Sequence, residues 1–381
     1  MSEYRRDPLT GRWVIVAEER AARPHQFDIE TNADDSYREH CPFCEGNESL
    51  TPGEVDAIRP PGSRADGPGW AVRVVPNRYP AVHRDPRFPD NHSFQSRYGN
   101  VLDVDTPLAM FEKPFYQPLP GTGAHEVLVD TPRHILSLTD MNDEEVKNVF
   151  RMYKRRLSAI SKEKRFAHAM IFKNVGAAAG ASLPHSHSQL LAMPFLPPPI
   201  QRELHRAIAF RRETDLCYWC EHLKHELKNK LRIVDESDHF VVLCPYVSRF
   251  PGEVAVFPKR HVSHYETLQQ HHTDELGKLV RHTITLLEKL AVWIKGRLAY
   301  NIVLKSGPFV YNGPLDQRDM LDTAVWLQKL DYSFEKVYHF HVSILPSLAK
   351  AAGFEWGCGL HINPISPETA AQRLRDAAQS V

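Results

Sequence analysis

Short apolar runs that end in polar turns recur along this chain, separated by stretches whose apolar residues fall at helical spacing. Glu126-Val127-Leu128-Val129-Asp130-Thr131-Pro132-Arg133-His134 reads as a strand running into a Pro-containing turn that ends on His. It aligns without a gap against Glu253-Val254-Ala255-Val256-Phe257-Pro258-Lys259-Arg260-His261, with Glu, two apolar strand positions, Arg and His in register. After each, an acidic start opens an amphipathic helix. Asp143-Glu144-Glu145 leads through Val146, Val149 and Met152 to Leu157, and Asp274-Glu275 leads through Leu276, Leu279 and Ile284 to Leu287. A second strand with a polar end follows, Met170-Ile171-Phe172-Lys173-Asn174-Val175-Gly176 against Ile302-Val303-Leu304-Lys305-Ser306-Gly307. Each series begins with Cys-x-x-Cys (Cys41 and Cys44, then Cys217 and Cys220) and closes on His-x-His (His185-Ser186-His187, then His339-Phe340-His341). Five features in one order predict a duplicated α+β unit with an antiparallel sheet and flanking helices.

The repeat organises the candidate chemistry. Two cysteines one turn apart and two histidines from distant strands supply the four N/S ligands of a tetrahedral Zn²⁺ site. In the first half these are Cys41, Cys44, His134 and His185, and in the second Cys217, Cys220, His261 and His339, where zinc or iron is expected. Both sites would be closed, so the metals fix backbone rather than activate water. Side chains at i and i+2 of an extended segment share a side, which leaves His187 beside a metal-anchored His185. A neutral imidazole held rigidly is a competent nucleophile towards phosphorus. Ser186, Ser188 and Gln189 are short neutral groups suited to phosphate oxygens. The alternative for the two histidines is a buried, hydrogen-bonded pair. In the second half Phe340 and Val342 flank His341, so one catalytic and one structural half are expected.

Composition narrows the class. The chain has 381 residues, enough for two domains. Lys+Arg and Asp+Glu both number 47, so no basic excess argues for nucleic acid, and a small anionic substrate would need locally placed donors. Met1 to Asp7 is charged without an apolar leader, and no run is long enough to span a bilayer, which makes the cytoplasm the expected compartment. Four of the six cysteines fall in the Cys-x-x-Cys pairs, a pattern that favours metal over disulfide; Cys244 and Cys358 read as ordinary thiols.

Over nearly its whole length the chain resembles the galactose-1-phosphate uridylyltransferase family, the transferase branch of the histidine-triad superfamily. The resemblance is carried by Arg6-Asp7-Pro8-Leu9-Thr10-Gly11-Arg12-Trp13-Val14-Ile15-Val16, Glu19-Arg20-Ala21-Ala22-Arg23-Pro24, Pro76-Asn77-Arg78-Tyr79-Pro80, Lys173-Asn174, Gly180-Ala181-Ser182 and Ala352-Gly353-Phe354-Glu355-Trp356-Gly357. It implies two histidine-triad-like domains, residues 1–200 with the catalytic His-x-His-x-Gln and a zinc site, and 201–381 with the second metal site. It also implies that Arg20 and Arg23 reach substrate phosphates across a homodimer interface. Asn77 would contact the nucleotide, and Asn174 and Ser182 the diphosphate.

The implied activity is ping-pong transfer. His187 takes UMP from UDP-glucose, and a hexose 1-phosphate such as galactose 1-phosphate then collects it. Gln189 stands where hydrolase branches carry a third histidine, and an amide cannot relay protons as imidazole does. Galactose-pathway enzymes typically read His-Pro-His-Gly-Gln, whereas this chain has Ser186 and Ser188 at the intervening positions. The serine version resembles a branch acting on ADP-glucose with phosphate as acceptor, so a phosphorylase-type adenylyltransferase is the alternative activity. A zinc-stabilised nucleotide-binding protein without turnover is the alternative of another class.

Overall fold

A computed structural model of the chain describes residues 3–6, 13–16, 40–84, 119–290, 297–309, 334–349, 353–358 and 361–379. Among these, strands form at β1 (Glu3–Arg6), β2 (Trp13–Val16), β3 (Asp56–Ile58), β4 (Val72–Pro76), β5 (Leu119–Pro120), β6 (Ala124–Val129), β7 (His168–Val175), β8 (His187–Met193), β9 (Ile233–Glu236), β10 (Phe240–Leu243), β11 (Val254–Pro258), β12 (Tyr300–Lys305) and β13 (His341–Pro346). The helices are α1 (Asp143–Ile160), α2 (Pro198–Thr214), α3 (Tyr218–Asn229), α4 (Gln270–Leu290), α5 (Phe334–Val337), α6 (Gly353–Cys358) and α7 (Pro367–Gln379). None of these helices is long and apolar enough to cross a membrane.

The predicted α+β class and duplication are both visible in one ten-stranded antiparallel sheet, ordered β3-β4-β6-β8-β7-β12-β13-β11-β10-β9. Read outward from its centre, where β7 pairs β12, the two sides repeat the same series: β8 and β13, β6 and β11, β4 and β10, β3 and β9. Both predicted amphipathic helices form and pack together on one face of the sheet. The first begins at Asp143, capped by Asn142 and Glu145 in a reciprocal capping box. The second begins at Gln270, four residues before the expected acidic start. Their buried stripes, Val146, Val149, Phe150, Tyr153 and Leu157 on α1 and Leu276, Leu279, Val280 and Leu287 on α4, join the main core, and Thr283 on α4 is buried with them. Gly277 permits the close crossing, since a Cβ there would sit 3.1 Å from the Phe150 ring and 3.2 Å from Val146. A bidentate pair from Arg151 to Asp274, at 2.8 and 2.7 Å, ties the helices at their edge.

The sheet corrects the repeat alignment within its strands. Ser188 pairs with Leu128 on β6, and its counterpart Val342 pairs with Val256 on β11, so Leu128 matches Val256 rather than Ala255. Beyond the strand, His185 bonds the carbonyl of Thr131 and His339 bonds that of Pro258, so Thr131 matches Pro258 as aligned. The first half therefore holds one residue more between these points, Asp130. Likewise Ser188 pairs with Lys173 and Val342 with Leu304, so Leu304, not Lys305, is the counterpart of Lys173. A slip of one residue in a strand moves every side chain to the other face, and gapless alignment of similar residues cannot detect it.

Candidate active site and metal centres

Strand β8 presents alternate residues to opposite faces. His187 and Gln189 lie on the face away from α1 and α4, with Val127, Val129, Val75, Trp70 and Phe43 forming the small apolar cluster around them. The Phe43 ring sits 5.2 Å from that of His187. Nδ1 of His187 donates to the carbonyl of His185 at 2.7 Å, which sets the tautomer and leaves the lone pair on Nε2.

His185 is buried and joined to three other residues from the predicted first metal set. Its Nδ1 lies 3.5 Å from Cys41 Sγ and 3.6 Å from Cys44 Sγ, and His134 Nδ1 lies 3.2 Å from Cys44 Sγ. With usual Zn–S and Zn–N bond lengths, the S···N edge of a tetrahedron is about 3.6 Å. The far nitrogen of His185 donates to the Thr131 carbonyl at 2.9 Å, orienting the ring as a ligating imidazole requires. Burial pushes the His185 pKa down to about 3, so the ring is neutral, and pushes the Cys41 thiol up to about 12, a group that a divalent cation would hold as thiolate. The donor set and its spacing fit a metal ion.

The second set assembles in the same way. Cys217, Cys220, His261 and His339 bring their ligand atoms within 4.8 Å of one another. Cys220 Sγ is 3.3 Å from His261 Nδ1 and 3.9 Å from His339 Nδ1, while the far nitrogens donate to Glu335 O at 2.7 Å and Pro258 O at 3.0 Å. Hydrogen bonding from Cys220 pulls Cys217 strongly towards thiolate. His341, the counterpart of His187, is not one of this group. Its ring is stacked on Phe257 at 4.9 Å and tilted against Trp219 at 5.5 Å. Phe257 follows Val256 as Val129, the partner of His187, follows Leu128, so a larger side chain covers the imidazole in this half. Among the described residues one further group, His239, His271 and His272, has ligand atoms as close together.

Known proteins share this architecture. The model of the galactose-1-phosphate uridyl transferase N-terminal domain matches residues 1–197, and that of the C-terminal domain matches residues 205–377. The chain belongs to the galactose-1-phosphate uridyl transferase family. Among curated members of similar sequence, the ADP-glucose phosphorylase of Arabidopsis thaliana is 30% identical over 377 residues, 99% of this chain and 93% of that protein. The galactose-1-phosphate uridylyltransferase of Thermotoga maritima is 28% identical over 382 residues, 99% of this chain and 98% of that protein. The crystal structure of the Arabidopsis thaliana ADP-glucose phosphorylase with bound ADP-glucose superposes with a TM-score of 0.67 at 29% identity, covering 99% of each chain. A uridylyltransferase structure does so with a TM-score of 0.71 at 25% identity, also covering 99% of each chain. These relatives support nucleotidyl transfer as the chemistry of this family member.

The site also contains a residue that sequence reading passes over. His125, on β6, accepts from the Ala81 N–H at its Nδ1, 3.0 Å, so its proton resides on Nε2 and donates to Gln189 Oε1 at 2.9 Å. The Asn77 amide nitrogen lies 3.1 Å from His125 Nε2 and 3.5 Å from the same Gln189 oxygen, while its own Oδ1 accepts from the Tyr79 N–H at 2.9 Å. The Gln189 carboxamide is thereby oriented, with its oxygen turned towards His125 and its NH₂ turned away. Asn174, beside the Lys173 that pairs with Ser188, lies on the His187 face, where its Oδ1 accepts from Asn301 at 2.8 Å. Ser182 is half-buried in the β7–β8 connection. Arg20 and Arg23 lie outside the described residues, as does most of the 307–335 stretch that lengthens the second half.

One expectation is corrected. Ser186 and Ser188 do not offer their hydroxyls to the His187 face. Both are buried on the helix side, where they donate to Asp130 Oδ2 at 3.2 and 3.1 Å. The alternation that puts His185, His187 and Gln189 on one face puts the serines on the other.

Proposed function

We propose that this chain transfers UMP between UDP-glucose and a hexose 1-phosphate, galactose 1-phosphate being the expected acceptor, by way of a covalent nucleotidyl-His187. What carries the proposal is the geometry of His187. Its Nδ1–H is committed to the His185 carbonyl, and the site wall, not solvent, surrounds it. Nε2 attacks the α-phosphorus, the N–P bond forms, and the bridging P–O bond to the sugar 1-phosphate breaks. The departing phosphate carries its own negative charge and needs no proton. A second sugar 1-phosphate reverses the step and takes the nucleotide. Gln189, held through its Oε1, aims its NH₂ as a neutral donor at charge building on the phosphoryl oxygens. Cys41, Cys44, His134 and His185 would hold a zinc ion whose contribution is to fix the His185 segment and hence its carbonyl. Arg20 and Arg23 reaching across a homodimer belong to the same proposal.

A second activity, adenylyl transfer from ADP-glucose to phosphate, is favoured by the 30% identity to the ADP-glucose phosphorylase over 99% of this chain. The serines add little to it, because their hydroxyls face the helices. The test is isotope exchange. With a ping-pong covalent route, labelled glucose 1-phosphate exchanges into UDP-glucose without any other acceptor, and His187→Asn abolishes the exchange. Exchange into ADP-glucose alone would install the second activity, and no exchange with either donor would leave a binding protein.

A further inference from the structure

Directly beneath His187, on the helix side of the sheet, lies a buried charged network that the transfer step does not use. Lys173 is 1% exposed and Asp130 0%, and their side chains meet at 2.6 Å. The ammonium places its three donors on Asp130 Oδ2, on Ser186 Oγ at 2.7 Å and on the His187 carbonyl at 3.2 Å. The Asp130 carboxylate also accepts from both serine hydroxyls, and Tyr153 reaches Ser188 Oγ at 2.5 Å. The Asp130 N–H bonds the Ser186 carbonyl at 3.1 Å. The carbonyls on either side of the His187 Cα are thus both held, that of His187 by the Lys173 ammonium and that of Ser186 by the Asp130 backbone N–H.

The second half supplies an internal control. At the matching ladder positions Leu304 replaces Lys173, Phe340 replaces Ser186 and Val342 replaces Ser188, and Asp130 has no counterpart. Tyr153 corresponds, by the buried stripes of the helices, to Thr283, which bonds back to Leu279 of its own helix. The fold therefore closes the same space with apolar side chains in the second half. Burying an ion pair is not a stabilising choice over such a filling. The imidazole above differs in step: His187 Nδ1 meets the His185 carbonyl at 2.7 Å, whereas His341 Nδ1 meets that of His339 at 3.3 Å.

We infer that the Lys173–Asp130 pair, with Ser186, Ser188 and Tyr153, is a positioning device that holds the His187 backbone so that its imidazole is aligned for attack. It rests on His187 being the nucleophile. Ser186 and Ser188 are then framework residues of the catalytic strand and do not select the base.

The test copies the second half into the first, as the Lys173→Leu/Asp130→Leu double variant, with Ser186→Ala/Ser188→Ala as a milder variant should the former fail to fold. Adduct formation is timed by quenched-flow mass spectrometry with UDP-glucose and ADP-glucose, using whichever labels the wild type. The expected result is adduct formation slowed at least about tenfold, with KM for the donor within about twofold and metal content unchanged. A folded variant that labels at the wild-type rate overturns the inference, as does a loss confined to KM. Absence of adduct in the wild type would instead refute the nucleophile assignment itself.

Discussion

His168 provides a quantitative test of the packing. It opens β7, is completely buried, and neither ring nitrogen has a hydrogen-bond partner. Burial, with Lys305 and His264 nearby adding to it, pushes its pKa down from 6.5 to about 4. The folded state keeps the ring neutral while the unfolded chain binds a proton below pH 6.5, so the unfolded state holds more protons between about pH 4 and 6.5 and stability is lost as the pH is lowered through that window. For these two values the loss between pH 7.5 and pH 5 is about 2 kcal/mol, approaching about 3 kcal/mol by pH 4. The variant His168→Leu removes the titrating group and two unpartnered nitrogens. Urea denaturation of both proteins at pH 7.5, 6 and 5 measures the difference. The variant should be at least as stable at pH 7.5 and should lose about 2 kcal/mol less than wild type on going to pH 5. Parallel pH dependences would refute the assignment of a buried neutral imidazole.

Other perturbations bear on separate parts of the structure. Buried Glu126 accepts from the buried Arg156 at 2.9 and 2.8 Å and from the partly exposed Arg84 at 2.9 Å, so Glu126→Leu should cost about 3–5 kcal/mol in urea denaturation; a loss under about 1 kcal/mol would show the guanidinium finds water or Asp56 instead. His125→Leu removes the nearer donor to the Gln189 oxygen and leaves only Asn77 at 3.5 Å, and kcat should fall about ten- to a hundredfold with little change in donor KM; an unchanged kcat would remove His125 from the site. Elemental analysis of dialysed protein should give two metal ions per chain, because His239, His271 and His272 form a partly exposed group without thiolate; Cys44→Ser should lose one ion and with it most of the activity.

Much of the fold and the site is legible in the chain. Cys-x-x-Cys, the turn histidines and His-x-His are short local patterns repeated in order, so the amino-acid sequence alone points to both metal groups and to the two helices. Period-two alternation, applied to His185 and His187, finds the shared face; applied equally to Ser186 and Ser188 it turns them towards the helices. Asp130 is hidden because one additional residue before a turn leaves the flanking similarities intact while changing the facing of the strand. His125 carries no spacing signal. Its partner Gln189 is 64 residues away, and only the pairing of β6 with β8 brings the two together.

The covalent step is most directly tested by intact mass of the purified protein after mixing with UDP-glucose or, separately, ADP-glucose, beside the His187→Asn variant. A gain of one UMP on the wild type and none on the variant is the predicted result, and an AMP gain would preserve the mechanism while changing the base. An adduct that persists in the variant, or none with either donor, would contradict the account.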